Sequence, residues 1–168
     1  MAENKKKTGS GRTLRTLELR YRPVFDIHLN MAIDYEISML INDKVMGVML
    51  PKLFVPIAEK SNPIVQLNLW EVEEACEAIK RCEEREADLN SIIVQISVKS
   101  FAKKNFVAQV KKILDKHGIS PDRFCFDINE SILEAVKDQV MENIMAFREM
   151  ALKVSVNDFG LEYTSLTH

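Results

Sequence analysis

The sequence predicts an α/β fold in which a mostly parallel sheet, led by an antiparallel first strand, is covered by helices. Three observations predict it. From Ser91 onward, apolar β-branched runs alternate with stretches of helical periodicity, the pattern of βαβ units. The first two apolar runs are joined by a connection too short for a parallel crossover, so they must pair antiparallel. The last run, Lys153-Val154-Ser155-Val156, ends on Asn157 and Asp158 and then turns at Phe159-Gly160. Polar residues at strand carboxyl ends are how such sheets present chemistry to solvent.

Tyr21 to Ile27 reads as the first strand, His28-Leu29-Asn30 as a turn, and Ala32 to Leu40 as the second strand. Asn42-Asp43-Lys44 and Gly47 loop out. Pro51 to Glu59 reads as a short helix entered at proline. Ser61-Asn62-Pro63 is a helix start, with a capping side chain ahead of a proline. The helix that follows, to about Arg85, aligns Val65, Leu69, Val72, Cys76 and Ile79 as one apolar stripe. Its other face, with Glu71, Glu74, Glu77, Lys80 and Arg81, reads as solvated surface. Ser91 to Ser97 is a strand. A helix from about Lys103 to His117 uses Phe106, Val110, Ile113 and Leu114, with Gly118 at its C-cap. Phe124 to Asn129 is a strand, and a helix from about Val136 to Met150 uses Val140, Ile144 and Phe147. That makes about five strands, where a closed parallel barrel needs eight. The expectation is a fragment, an open sheet, or a barrel completed by another chain.

Composition is that of an ordinary globular chain: 168 residues, 46% hydrophobic, net charge −2. No apolar run approaches the roughly 20 residues of a membrane span, and no apolar signal core opens the chain. Cys76, Cys82 and Cys125 show no zinc spacing, which points to a reduced, cytoplasmic protein. Residues 1–22 carry +5 and the remainder −7. Residues 1–18, around Thr8-Gly9-Ser10-Gly11, read as a basic, disordered arm and residues 19–168 as the domain. Nucleic-acid binding by that arm is not expected. His28, His117 and His168 match no metal spacing and read as surface residues. Met141, Met145 and Met150 read as core fillers.

Six blocks, in order, resemble the EAL-domain family, the barrel-shaped phosphodiesterases of cyclic di-GMP. Tyr21-Arg22-Pro23-Val24 is similar to the opening Tyr-Gln-Pro-Ile strand. Tyr35-Glu36-Ile37-Ser38-Met39-Leu40 stands where the family has Tyr-Glu-Ala-Leu-Leu-Arg. Pro51 to Glu59, followed by Trp70 to Cys76, resembles Pro-x-x-Phe-Ile-Pro-x-Ala-Glu and Trp-x-x-x-x-Ala-Cys. Val94-Gln95-Ile96-Ser97 replaces Val-Asn-Leu-Ser, Asp127 to Ser131 resembles Glu-Ile-Thr-Glu-Ser, and Asn157-Asp158-Phe159-Gly160 replaces Asp-Asp-Phe-Gly. The resemblance covers residues 21–166. It implies a partial EAL-type TIM-like barrel that lacks its C-terminal third.

The resemblance also implies a site. Family enzymes hold two divalent cations on clustered oxygen ligands to cleave one phosphodiester bond. Glu36, Glu130 and Asp158 keep metal-binding carboxylates by position. Gln95 is a methylene longer than the family's Asn. Asn157 replaces an acid that bridges both metals, and an amide offers no bridging charge. Among substrate-contact positions, Leu40 replaces a phosphate-holding Arg, Arg22 a Gln, and Ser38 a Leu. The family's catalytic Lys lies downstream of the matched blocks. No catalytic residue is therefore expected to function, and no cofactor is expected, with Mg²⁺ or Mn²⁺ required only if activity is retained. The reading implied is a degenerate domain that works by binding a protein partner or a second copy. Its rivals are an active phosphodiesterase within a longer chain and a sensor that binds cyclic di-GMP weakly without cleaving it.

Overall fold

The computed structural model describes residues 15–60, 63–129 and 138–157. Two long strands come first, β1 (Arg15–Asp26) and β2 (Met31–Asp43), and a short β3 (Gly47–Met49) follows. Two helices, α1 (Pro51–Lys60) and α2 (Ile64–Glu83), lead to β4 (Ser91–Gln95). The chain continues through α3 (Val98–Phe101), α4 (Phe106–His117), a 3₁₀ turn, β5 (Phe124–Asn129), α5 (Asp138–Glu149) and β6 (Lys153–Asn157). The sheet order is β1-β2-β4-β5-β6, with β3 paired to the end of β2. β1 and β3 run antiparallel to β2, while β4, β5 and β6 follow β2 in parallel.

Alternation along the strands gives the sheet two unlike faces. Ile37, Val94, Phe126 and Val154 are register partners across β2, β4, β5 and β6, on the face that α2, α4 and α5 cover. Phe101, Phe106, Phe124, Phe126 and Phe147 are fully buried there, with ring centroids 5.1–6.5 Å apart, mostly edge to face. The α2 stripe of Val65, Leu69, Val72, Cys76 and Ile79 is buried in the same core. Gly118 ends α4 at φ +66°, with its own and the next N–H returned to Asp115 and Leu114.

Several expectations are corrected. β1 begins at Arg15, inside the stretch read as an arm, because its residues pair along the whole of β2. The loop after Leu40 is instead the end of β2, a tight turn and β3. The helix expected from about Lys103 is α4, which begins at Phe106, and the short α3 ahead of it, Val98–Phe101, is not among the expected elements. Between the two, buried Asn143 of α5 donates to the carbonyls of Phe101 and Lys103 at 2.6 and 2.9 Å. Glu71 and Glu74 are not solvated surface: they are 4% and 8% exposed, on the buried side of α2. His117 is not a surface residue either. It lies buried between α4 and α2, 3.0 Å from Glu77 and 3.7 Å from Glu73. Met141 and Met145 stand exposed on α5, because the buried stripe runs through Val140, Asn143 and Phe147. Ser61, Asn62, Val136 and His168 lie outside the described residues. Among the described residues, no helix is long and apolar enough to cross a membrane.

Candidate functional site

The second face of the sheet carries the polar residues. Glu36, Ile93, Cys125 and Lys153 form one register row across β2, β4, β5 and β6. The next row toward the carboxyl ends holds Gln95, Asp127 and Ser155, and beyond it Asn129 is the partner of Asn157. Parallel strands with this alternation therefore bring Glu36, Gln95 and Asn157 to one face, near one end of the sheet. Glu130 and Asp158, the other two carboxylates of the expected constellation, lie outside the described residues.

The groups on this face are already engaged with one another. Arg22 of β1 is the cross-strand partner of Glu36, and its Nη2 donates to Glu36 Oε2 as an ion pair. That contact raises the Arg22 pKa, through the hydrogen bond first and the charge of Glu36 second. Ser155 Oγ donates to Asp127 Oδ1 at 2.6 Å and lies 3.3 Å from Cys125 Sγ. Burial pushes the Cys125 thiol above its usual range, while the bond to Ser155 pulls the other way. Gln95 is exposed and Ser38 half-buried. Leu40 is only 2% exposed, so the position where a phosphate-clamping guanidinium was sought is apolar and closed to solvent.

A polar network from α2 holds the strand ends that carry these residues. Asn68 Oδ1 accepts from Ser97 N at 3.1 Å and from Ser100 Oγ at 2.8 Å. Asn68 Nδ2 donates to Gln95 O at 3.2 Å and to Glu71 Oε2 at 2.9 Å. Glu71 in turn hydrogen-bonds the Met39 backbone. Ser97 Oγ donates to Glu59 Oε1 at 2.6 Å, and Lys99 Nζ to Glu59 O at 2.6 Å, which ties α1 to the same corner. Burial pushes the Glu71 carboxyl up to about 8, while its bonds to Asn68 and Met39 pull the other way. Sequence reasoning passed over Asn68 and Glu71, since a helix this acidic reads as exposed. The available signal was an Asn and a Glu at i, i+3 beside the apolar stripe.

Comparison with known proteins follows the same outline. A family profile described as EAL domain matches residues 11–168. The bifunctional diguanylate cyclase/cyclic di-GMP phosphodiesterase MucR of Pseudomonas aeruginosa is 29% identical over 155 residues, which is 92% of this chain and 22% of MucR. The oxygen sensor protein DosP of Escherichia coli is 24% identical over 151 residues, 90% of this chain and 19% of DosP. The chain thus spans about a fifth of the length of these relatives. Among solved structures, the MucR phosphodiesterase in complex with c-di-GMP superposes with a TM-score of 0.76 at 28% identity, covering 89% of this chain and 62% of that one. The Pseudomonas aeruginosa FimX EAL domain bound to c-di-GMP has the same fold at 16% identity, TM-score 0.74, covering 89% and 58%.

Proposed function

The chain belongs to the EAL-domain family, and we propose that within it this is a catalytically silent member, a regulatory module in cyclic di-GMP signalling that acts by binding a protein partner or a second copy. One observation carries the reading: the carboxylate at the family's metal position, Glu36, holds a guanidinium from its own hairpin. A cation already sits on the ligand that would have to receive one, and the bridging acid has become the neutral Asn157. The donor set described does not fit a two-cation clamp, which draws its strength from several anionic oxygens at close range. Loss of both the bridging anion and the phosphate clamp at Leu40 removes the electrostatic stabilisation on which such hydrolysis depends.

The test is an assay of purified protein with cyclic di-GMP and Mg²⁺ or Mn²⁺. No linear dinucleotide is expected. Product at rates typical of phosphodiesterases would overturn the reading and favour an active enzyme within a longer chain. A second reading, a non-hydrolysing cyclic di-GMP sensor, draws support from the likeness to the ligand-bound MucR domain. Leu40 and the Arg22–Glu36 pair argue against it. Titration calorimetry separates the two: heat at about 100 μM ligand or below would support a sensor.

A further inference from the structure

An apolar surface stands beside the site, and nothing in the proposed function uses it. At the carboxyl end of β2 the chain turns through Lys44-Val45-Met46 into β3, then directly into α1. Val45 and Met46 at the tip are 80% and 69% exposed, and Val48, Leu50, Leu53 and Ile57 continue the exposed apolar surface along β3 and the outer side of α1. The inner side of α1 is separate, buried through Phe54 and Ala58. Six large apolar side chains stand exposed within residues 45–57, a concentration of the kind that marks an interaction site.

Two further features say what would cover it. The charges interspersed with the patch are basic: Lys44, Lys52 and Lys60 are all exposed, and Lys99, Lys103 and Lys104 stand exposed just past β4 at the same end of the sheet. The acid of that segment, Glu59, accepts from Ser97 Oγ, and its backbone carbonyl accepts from Lys99 Nζ. Exposed acids Glu84, Glu86 and Asp88 lie at the opposite end, between α2 and the start of β4. Secondly, the tip is preorganised. Asp43 Oδ1 accepts from Val45 N at 2.8 Å and Met46 N at 2.9 Å, and Gly47 takes φ +76° to close the turn. Satisfied backbone donors under two projecting apolar side chains suit insertion into a low-dielectric interface, where an unmet N–H is costly.

We propose that the β2–β3 turn and the outer side of α1 form a docking surface for an anionic lipid bilayer, with Val45 and Met46 entering the headgroup boundary and the lysines lying on lipid phosphates and carboxylates. Buried apolar area and electrostatic attraction add in interfacial binding of this kind. The acidic far end orients the molecule with its site end toward the membrane. This inference goes beyond the proposed function and stands or falls apart from it, since it concerns a different surface.

The experiment is co-sedimentation of the full chain with vesicles of phosphatidylserine and phosphatidylcholine, against vesicles of phosphatidylcholine alone. Binding to the anionic vesicles only is expected, weakening as salt rises. The double variant V45S/M46S should lower the affinity by roughly tenfold or more, and K44E/K52E by about 25-fold, at about fivefold per lysine. Both variants should keep the parent melting temperature, because all four positions are exposed. No sedimentation of the parent chain overturns the proposal. So does binding that V45S/M46S leaves unmoved, which would mean attraction by other basic segments alone. Concentration-dependent self-association abolished by V45S/M46S, with no vesicle capture, would reassign the surface to a second copy.

Discussion

One register row of the sheet reads Ile37, Val94, Phe126, Val154, and the adjacent row on the other face reads Glu36, Ile93, Cys125, Lys153. The first row packs between strands and helices, with Ile37, Val94 and Phe126 buried and Val154 partly so at the last strand. The second faces away from the helices; there Glu36 pairs with Arg22 of β1, and Cys125 Sγ lies 3.3 Å from Ser155 Oγ. The difference separates what holds this molecule up from what it can do. A packed apolar row resists substitution because volume and contacts are lost together, whereas an exposed acid can become an amide with little effect on folding. A family fold can therefore persist while the site on its other face changes its chemistry.

The sharpest way to break that contrast is to empty the packed row. Phe126→Ala removes a fully buried ring that meets Phe101, Phe106, Phe124 and Phe147. A loss of about 3–5 kcal/mol is expected in urea denaturation. A loss below about 1 kcal/mol would mean that the aromatic cluster is not the core it resembles.

A smaller but pH-dependent effect belongs to Glu71, on the buried side of α2. Its carboxyl is raised from 4.5 to about 8 by burial, so the folded state prefers the protonated acid. Its contribution to stability is full below about pH 4.5 and falls away as pH rises toward 8 and through it. Glu71→Gln mimics the protonated form and should remove that slope. The variant should be more stable than the parent above pH 8, by an amount of order 2–4 kcal/mol, and close to it near pH 4.5. Thermal melts of both proteins across this range make the check, and parallel curves would show that Glu71 is charged in the fold.

Much of the fold was legible because burial writes itself as period. The α2 stripe, the three later apolar strands and Gly118 at the α4 C-cap were all visible in residue spacing. The site was legible as positions rather than as interactions. Arg22 was visible as a departure from a family pattern, but its partner was hidden by a bulge. Near the turn, Asp26 faces Met31 and Phe25 faces Ala32, then Ile33 is skipped and Val24 faces Asp34. Counting back from the turn without that extra residue sets Arg22 opposite Tyr35, on the wrong face. The bulge moves it opposite Glu36. The burial of Glu71 and His117 was equally hidden, since their partners, Met39 and Asn68 for one and Glu73 and Glu77 for the other, lie partly on other elements.

The smallest expected effect on stability, and the most direct test of the polar face, comes from Arg22→Gln. The guanidinium is exposed and its ion pair is of the surface kind, so the melting temperature should stay where it is. What should change is the charge that Glu36 presents. With the cation gone, its carboxylate faces the strand ends unneutralised, yet Asn157 still offers only an amide. Arg22→Gln alone should therefore leave Mn²⁺ binding weak, while Arg22→Gln with Asn157→Asp restores two anionic ligands and should tighten it by roughly tenfold, read as loss of the free-ion Mn²⁺ paramagnetic resonance signal. If the parent chain itself depletes that signal at micromolar Mn²⁺, the guanidinium is not what keeps cations off this face. If the double variant does no better than the parent, the silence of the site lies elsewhere, in Gln95 or in the closed position at Leu40.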